Sequence, residues 1–155
     1  MVDQNVGKLA KWLRLMGYDT RLFGEGDDSH MVAIAVKEDR VLLTRDAEIM
    51  KRRVVSCGRL MAVLIKTEEP EQQIRQVIKS LNLDWRLRSF ALCLECNRSL
   101  VAKNKAEVMD LVPPYVFETQ DQYMECPHCH RIYWRGTHWQ AMTRKIAELF
   151  QRSTG

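Results

Sequence analysis

Two Cys-x-x-Cys pairs, Cys93/Cys96 and Cys126/Cys129, constrain this sequence more than any other feature. Zn²⁺ prefers four tetrahedral ligands and binds thiolates at about 2.3 Å. A two-residue gap lets both sulfurs of a pair reach one ion. Two such pairs, with 29 residues between them, close the site and leave no open position for water. Such an ion is structural and replaces a core that the segment is too short to build. A redox Cys-x-x-Cys would not need a second copy. His128 and His130 flank the second pair, but four cysteines already satisfy the ion, so both histidines are expected to be exposed or outside the ligand set. Cys57 stands alone and reads as a small, partly buried residue.

The second organising stretch is residues 41–46, Val-Leu-Leu-Thr-Arg-Asp. An apolar run without polar alternation reads as a strand buried on both faces, the pattern of a parallel sheet. Residues 60–65 form another such run. Residues 5–17 carry Val6, Leu9, Ala10 and Leu13 at helical spacing and end at Gly17. Residues 18–23 read as a short strand, and 24–29 as a loop that opens onto a buried helix over 31–38, capped by Asp28 or Ser29. Residues 47–53 read as a short basic helix. Pro70 starts another, with Ile74, Val77, Ile78 and Leu81 as its apolar stripe. This alternation predicts an α/β fold: a parallel sheet flanked by helices.

Near residues 82–89 the pattern changes. The division predicted is 1–88 for the α/β domain and 89–155 for a small zinc ribbon with a C-terminal helix. Within the ribbon the sequence suggests a helix over 105–111 and strands over 115–118, 122–125 and 131–134. Thr137 begins the last helix, with Gln140 as a capping-box partner.

Open α/β sheets place their chemistry beyond the carboxyl ends of the strands. Asp3 follows the first expected strand, Asp27 and Asp28 sit in the loop before the second helix, and Asp46 ends the third strand. Converging carboxylates repel, and a hard cation such as Mg²⁺ or Mn²⁺ offsets the repulsion. Such an ion activates water for in-line displacement at phosphorus. Each acid also has a plainer reading. Asp3, Asp28 and Asp46 suit helix caps, and Asp27 suits a solvated loop. Lys8, Lys11, Arg14 and Arg45 are near the expected edge in sequence and are candidate phosphate contacts, or else solvated helix surface. Tyr133, Trp134 and Trp139 could stack on bases but more often pack the underside of a small domain.

At 155 residues the chain suffices for one core or for a small domain with an appendage. No apolar run approaches the roughly 18 residues of a membrane span, and charges interrupt the N-terminal apolar positions. The expectation is a cytoplasmic protein with no membrane association. A net charge of +4 permits nucleic acid as a partner without requiring it.

Several motifs together resemble one family. They are the run from Gly7-Lys8-Leu9-Ala10-Lys11-Trp12 to Gly17-Tyr18-Asp19-Thr20, then Leu42-Leu43-Thr44-Arg45-Asp46, then Val112-Pro113-Pro114-Tyr115-Val116-Phe117-Glu118-Thr119-Gln120. The last is Cys126-Pro127 through Arg131-Ile132-Tyr133-Trp134 to His138-Trp139. These resemble the Mut-seven C-terminal RNase domain family over nearly the whole chain. The resemblance implies a PIN-like α/β domain followed by a zinc ribbon, and a metal-dependent ribonuclease. It implies catalytic acids Asp3, Asp28 and Asp46, and zinc ligands Cys93, Cys96, Cys126 and Cys129. Lys8 and Arg45 would face phosphate. One departure stands out: only Met1 and Val2 precede Asp3, so either the start is truncated or the first strand is very short. The alternative to a nuclease is a module that binds structured RNA, such as tRNA or ribosomal RNA, with little or no cleavage. A protein adaptor whose acids are only caps is a third reading.

Overall fold

The computed structural model describes residues 1–86 and 90–151. It forms two compact units, one of Met1–Leu13 with Thr20–Asp84 and the other of Arg14–Asp19 with Trp85–Gly155. The predicted boundary between 88 and 89 lies outside the described residues. Among those residues no helix is long and apolar enough to cross a membrane.

In the first unit, β1 (Leu42–Thr44) and β2 (Ala62–Leu64) pair in parallel, with Leu42 opposite Ala62 and Thr44 opposite Leu64. All three β1 residues are buried, as the unbroken apolar run requires. Val2 makes parallel bridges to both Leu22 and Leu43. Its N–H donates to Arg21 O at 2.8 Å and its carbonyl accepts from Phe23 N at 2.9 Å. On the other side Leu43 N donates to Met1 O, and Asp3 N to Leu43 O, each at 2.9 Å. Across the sheet the order is therefore Leu22, Val2, β1, β2, which in chain order is second, first, third, fourth. The two expected strands at the start of the chain shrink to one bridged residue each. The first exits at once into a 3-10 turn, Gln4–Val6, whose Val6 N–H bonds Asp3 O.

The helix expected over 5–17 is this turn followed by α1 (Lys8–Leu15), and Gly17 at φ +86° ends it as predicted. Next, α2 (Asp28–Lys37) is capped by Asp27, not by Asp28 or Ser29: Asp27 Oδ1 accepts from His30 N at 2.8 Å. The predicted basic helix over 47–53 is two short ones, α3 (Ala47–Met50) and α4 (Arg53–Ser56), because Arg52 is extended between them. Cys57 ends α4 and is exposed, not partly buried. Helix α5 (Pro70–Leu81) starts on proline and ends at left-handed Asn82. Its Gln76 amide accepts from Lys66 N and donates to Leu64 O, tying α5 to the end of β2. One core joins Met31, Val32 and Ala35 of α2 to Phe23, Leu42, Ile49 and Leu60.

In the second unit β3 (Val101–Lys103), β4 (Tyr123–Glu125) and β5 (Ile132–Tyr133) form an antiparallel sheet in the order β3-β4-β5. The helix expected over 105–111 is a 3-10 turn, Lys105–Val108, started by a reciprocal capping box between Asn104 and Glu107. The strand expected over 115–118 is a helix, α6 (Pro114–Thr119). Tyr, Val and Phe favour strands, but Pro114 sits at the first helical position, where the fixed φ of a proline ring suits a helix. The buried Tyr123 hydroxyl lies 3.1 Å from Val116 O and 2.9 Å from Gln120 O, serving carbonyls at the end of α6. Val108, Val112, Val116 and Tyr123 form the small core of this unit. The last helix, α7 (Thr137–Gln151), lacks the predicted capping box; the Gln140 amide reaches Arg135 O at 3.5 Å instead.

Tyr123→Phe is expected to lower stability by about 1–2 kcal/mol, since it removes the donor and leaves buried carbonyls without it. Tyr115→Phe, at a side chain 61% exposed, is expected to change stability by less than about 0.5 kcal/mol. Urea denaturation of the zinc-loaded chain compares them, and equal midpoints would discount the Tyr123 cap.

Candidate metal centre and acidic edge

The order second-first-third-fourth reverses between Val2 and β1. That reversal is where an open α/β sheet leaves a crevice at its carboxyl edge. Asp3 leaves the sheet there directly after Val2, and Asp46 two residues after β1. Thr44, fully buried, joins them. Its hydroxyl donates to Asp3 Oδ2 at 2.6 Å and accepts from Asp46 N at 3.0 Å. Asp46 Oδ1 in turn accepts from Glu48 N at 2.8 Å and caps α3. Asp3 and Asp46 are half-buried, and each keeps its second carboxylate oxygen without a protein partner among the described residues. Asn5 adds a further tie, its Oδ1 accepting from Arg45 N at 3.2 Å.

Asp28 begins α2 beside the Asp27 cap and is exposed. No hydrogen bond or ion pair joins it to Asp3 or Asp46. The three acids do not form a close ligand group; among the described residues that distinction belongs to the cysteines. Lys8 is exposed at the start of α1, with no ion pair among the described residues. The Arg45 side chain pairs with Glu68 at 3.0 Å, an exposed contact worth little. Thr44 is the functional candidate that sequence reasoning passed over. A buried hydroxyl inside an apolar run was the available signal, since such a group must find partners.

In the second unit the Sγ atoms of Cys93, Cys96, Cys126 and Cys129 all lie within 4.8 Å of one another. Cys93 and Cys129 are 3.7 Å apart, close to the roughly 3.8 Å edge of a tetrahedron with 2.3 Å zinc–sulfur bonds. The donor set therefore fits zinc. The two knuckles repeat one backbone design. The first cysteine donates to the residue five on, Cys93 to Arg98 O and Cys126 to Arg131 O. The residue after the second cysteine, Asn97 or His130, is left-handed at φ +60° and +61°. Cys96 N and Cys129 N point at the first sulfur of their own knuckles, 3.4 and 3.5 Å away. His130 is exposed and bonded to Glu125, and His128 is exposed, outside the ligand group as expected.

Burial pushes the Cys93 thiol up, but the Tyr133 hydroxyl at 3.1 Å and backbone N–H groups outweigh it and hold the thiol at about 7. Tyr133 is thus engaged beneath the knuckle, and its own hydroxyl is pushed up by burial and by Cys93. Arg14 is 6% exposed and serves the same knuckle: its Nη1 donates to Leu94 O at 2.7 Å and Glu95 O at 3.2 Å. Burial lowers its pKa while Cys93 and Glu95 push back.

One zinc per chain is expected by metal analysis, and Cys93→Ser or Cys126→Ser should release it and unfold the second unit. Because protons compete for the thiolates, acidification should also release the ion. A metal content unchanged by either substitution would refute the assignment.

The sequence profile of the Mut7-C RNAse domain matches residues 1–146. This span covers the parallel sheet, the acidic edge and all four cysteines. The chain is also similar to the Homo sapiens exonuclease mut-7 homolog, at 31% identity over 110 residues. That alignment covers 69% of this chain but only 12% of the relative, so the chain spans a small part of that protein's length. No solved structure matches. With nearly its whole length under one profile, the chain belongs to the Mut7-C RNAse domain family.

Proposed function

We propose that the chain is a metal-dependent ribonuclease. In this reading the first unit is PIN-like, and Asp3, Asp28 and Asp46 hold Mg²⁺ or Mn²⁺ at the edge of its sheet. The ion supplies an activated water and charge stabilisation at the scissile phosphate. Lys8 and Arg45 contact phosphate, while the zinc ribbon, residues 89–155, aids RNA binding. Arg14 drops out of the phosphate-contact set, because its guanidinium is buried against the knuckle carbonyls. The observation that carries the reading is the Asp3–Thr44–Asp46 chain of hydrogen bonds at the strand-order reversal. Family membership supports RNA as the substrate.

One observation favours a second reading, a binding module for tRNA, ribosomal RNA or another structured RNA. Asp3, Asp28 and Asp46 do not form a close group of ligand atoms, so the ligand group is not preassembled.

Zinc-loaded protein incubated with added Mn²⁺ or Mg²⁺ and a panel of single-stranded RNA, tRNA, ribosomal RNA and DNA separates the readings. Wild type should cleave RNA, and Asp46→Asn should lose roughly 10²-fold or more in rate. Thr44→Val keeps the shape but removes the link to Asp3, and should lose about 10–100-fold with the fold intact. Equal cleavage by wild type and Asp46→Asn would refute the acidic site. Binding by both with cleavage by neither would establish the binding module.

A further inference from the structure

The two knuckles share a backbone design, yet the chain holds them differently. Each stands on an antiparallel pair, Leu92 with Ser99 and Glu125 with Ile132. Beyond that pair, the first knuckle is tied to distant parts of its unit. Tyr133 lies on β5, which leaves the second knuckle, and its side chain reaches the first. There its oxygen accepts from Leu94 N at 3.2 Å and lies 3.1 Å from Cys93 Sγ. A zinc-bound thiolate carries no proton, so in the loaded centre the hydroxyl must donate to Cys93 Sγ. Arg14 donates to Leu94 O at 2.7 Å and to Glu95 O at 3.2 Å. Asn97 Nδ2 donates to Asp19 Oδ1 at 2.6 Å.

The sequence denies the second knuckle the same support. The counterpart of Leu94 is Pro127, which has no N–H to give. The counterpart of Tyr133 is Leu100, which has no hydroxyl. Among the described residues, the hydrogen bonds of 127–130 stay within 125–131, contacts among the four ligand sulfurs apart. Even the main-chain bond that the Cys129 sulfur accepts comes from Arg131, inside the same knuckle. Pro127 and His128 are exposed, whereas Leu94 is half-buried. Cys93 and Cys126 are equally buried, and Cys96 and Cys129 are both half-buried, so exposure does not rank the two pairs. A sulfur that leaves the metal returns when its knuckle is held in place, and segments with few ties open locally at low free energy. A donor bond to a thiolate also lowers its nucleophilicity.

We propose that the zinc centre opens at the Cys126–Cys129 knuckle, which soft electrophiles modify first, while Tyr133 and Arg14 keep Cys93 and Cys96 on the ion. In that step a thiolate sulfur attacks the electrophile, a carbon–sulfur bond replaces a zinc–sulfur bond, and the thioether left behind is a weaker ligand. The proposal rests on the zinc assignment and is independent of what the acidic edge does.

The test uses the full zinc-loaded chain with Cys57→Ser, which removes the exposed thiol outside the centre, and limiting N-ethylmaleimide. The sulfur adds to the maleimide double bond and the neighbouring carbon takes a proton from water. Peptide mass spectrometry locates the label, and a chromophoric chelator follows released zinc. When half the zinc has been released, Cys126 and Cys129 together should carry about tenfold more label than Cys93 and Cys96. Tyr133→Phe removes the hydroxyl and keeps the ring. It should raise labelling of the first pair to about that of the second and speed zinc release about tenfold. Tyr115→Phe, at an exposed tyrosine away from the knuckles, should change neither. Equal labelling of Cys96 and Cys129 in the otherwise wild-type chain overturns the proposal, as does earlier labelling of the first pair or simultaneous labelling of all four. A Tyr133→Phe chain that holds zinc and keeps the wild-type order overturns the role given to Tyr133. The wild-type order needs no variant, so it decides the matter even where Tyr133→Phe takes up no zinc. A wild-type chain without zinc overturns the zinc assignment and the proposal together.

Discussion

The first unit depends on a ladder only three residues long. Met1, Val2 and Asp3 carry the main-chain bonds that join Leu22 on one side to β1 on the other. Successive residues of a strand face alternate neighbours, so Val2 bonds to the Leu22 side while Met1 and Asp3 bond to Leu43. Val2 is fully buried, and no other segment separates Leu22 from β1 in the sheet. With this stub in place Asp3 has little freedom. Its N–H is fixed on Leu43 O, and its side chain meets the next inward group of β1, Thr44. The acid's position follows from strand register, and the shortness of the strand does not loosen it, because every main-chain group able to pair does so.

How legible this was depended on how local the cause was. The run from Leu42 to Thr44, the proline-started α5 and the paired cysteines are read from neighbours in sequence, and the structure has them where periodicity and spacing put them. The misreadings arose where distant groups decide. Residues 115–118 are strand formers by propensity, yet a tyrosine hydroxyl from β4 stabilises the end of a helix there. Arg14 reads as one more charge on a solvated face, and its partners lie 80 and 81 residues away. The Thr44 hydroxyl meets a carboxylate 41 residues earlier. Propensity describes a residue's neighbours in the chain, and these bonds join residues with none in common.

The second unit makes the same point about residue identity. His130 invites reading as a ligand because of its chemistry and its place beside Cys129. Its left-handed backbone matches that of Asn97 in the first knuckle, so the position is explained by conformation. Histidine and asparagine are among the residues that tolerate that region best. Arg14 has an equally specific setting. Four thiolates around one divalent ion would carry net negative charge, and the buried guanidinium bonded to the adjoining carbonyls would oppose it.

Helix capping and metal binding by the same acid are often set against each other, yet the geometry here separates them by atom. Asp46 uses Oδ1 to cap α3, and Asp3 uses Oδ2 to accept from Thr44. An ionised carboxylate has two oxygens and about four acceptor sites, so one oxygen of each remains for a cation. The bonds already made also help, because an acid held by its partner gives up less side-chain freedom on binding an ion. The cap on Asp46 therefore does not argue against catalysis, and neither does the bond on Asp3. What separates an active edge from an inert one is the third acid. Asp28 stands on the first turn of α2, held by the Asp27 cap, and the three acids do not form a close ligand group. A metal that orders the third ligand only on binding would couple the site to its substrate, since phosphate oxygens can complete a coordination shell the protein leaves open.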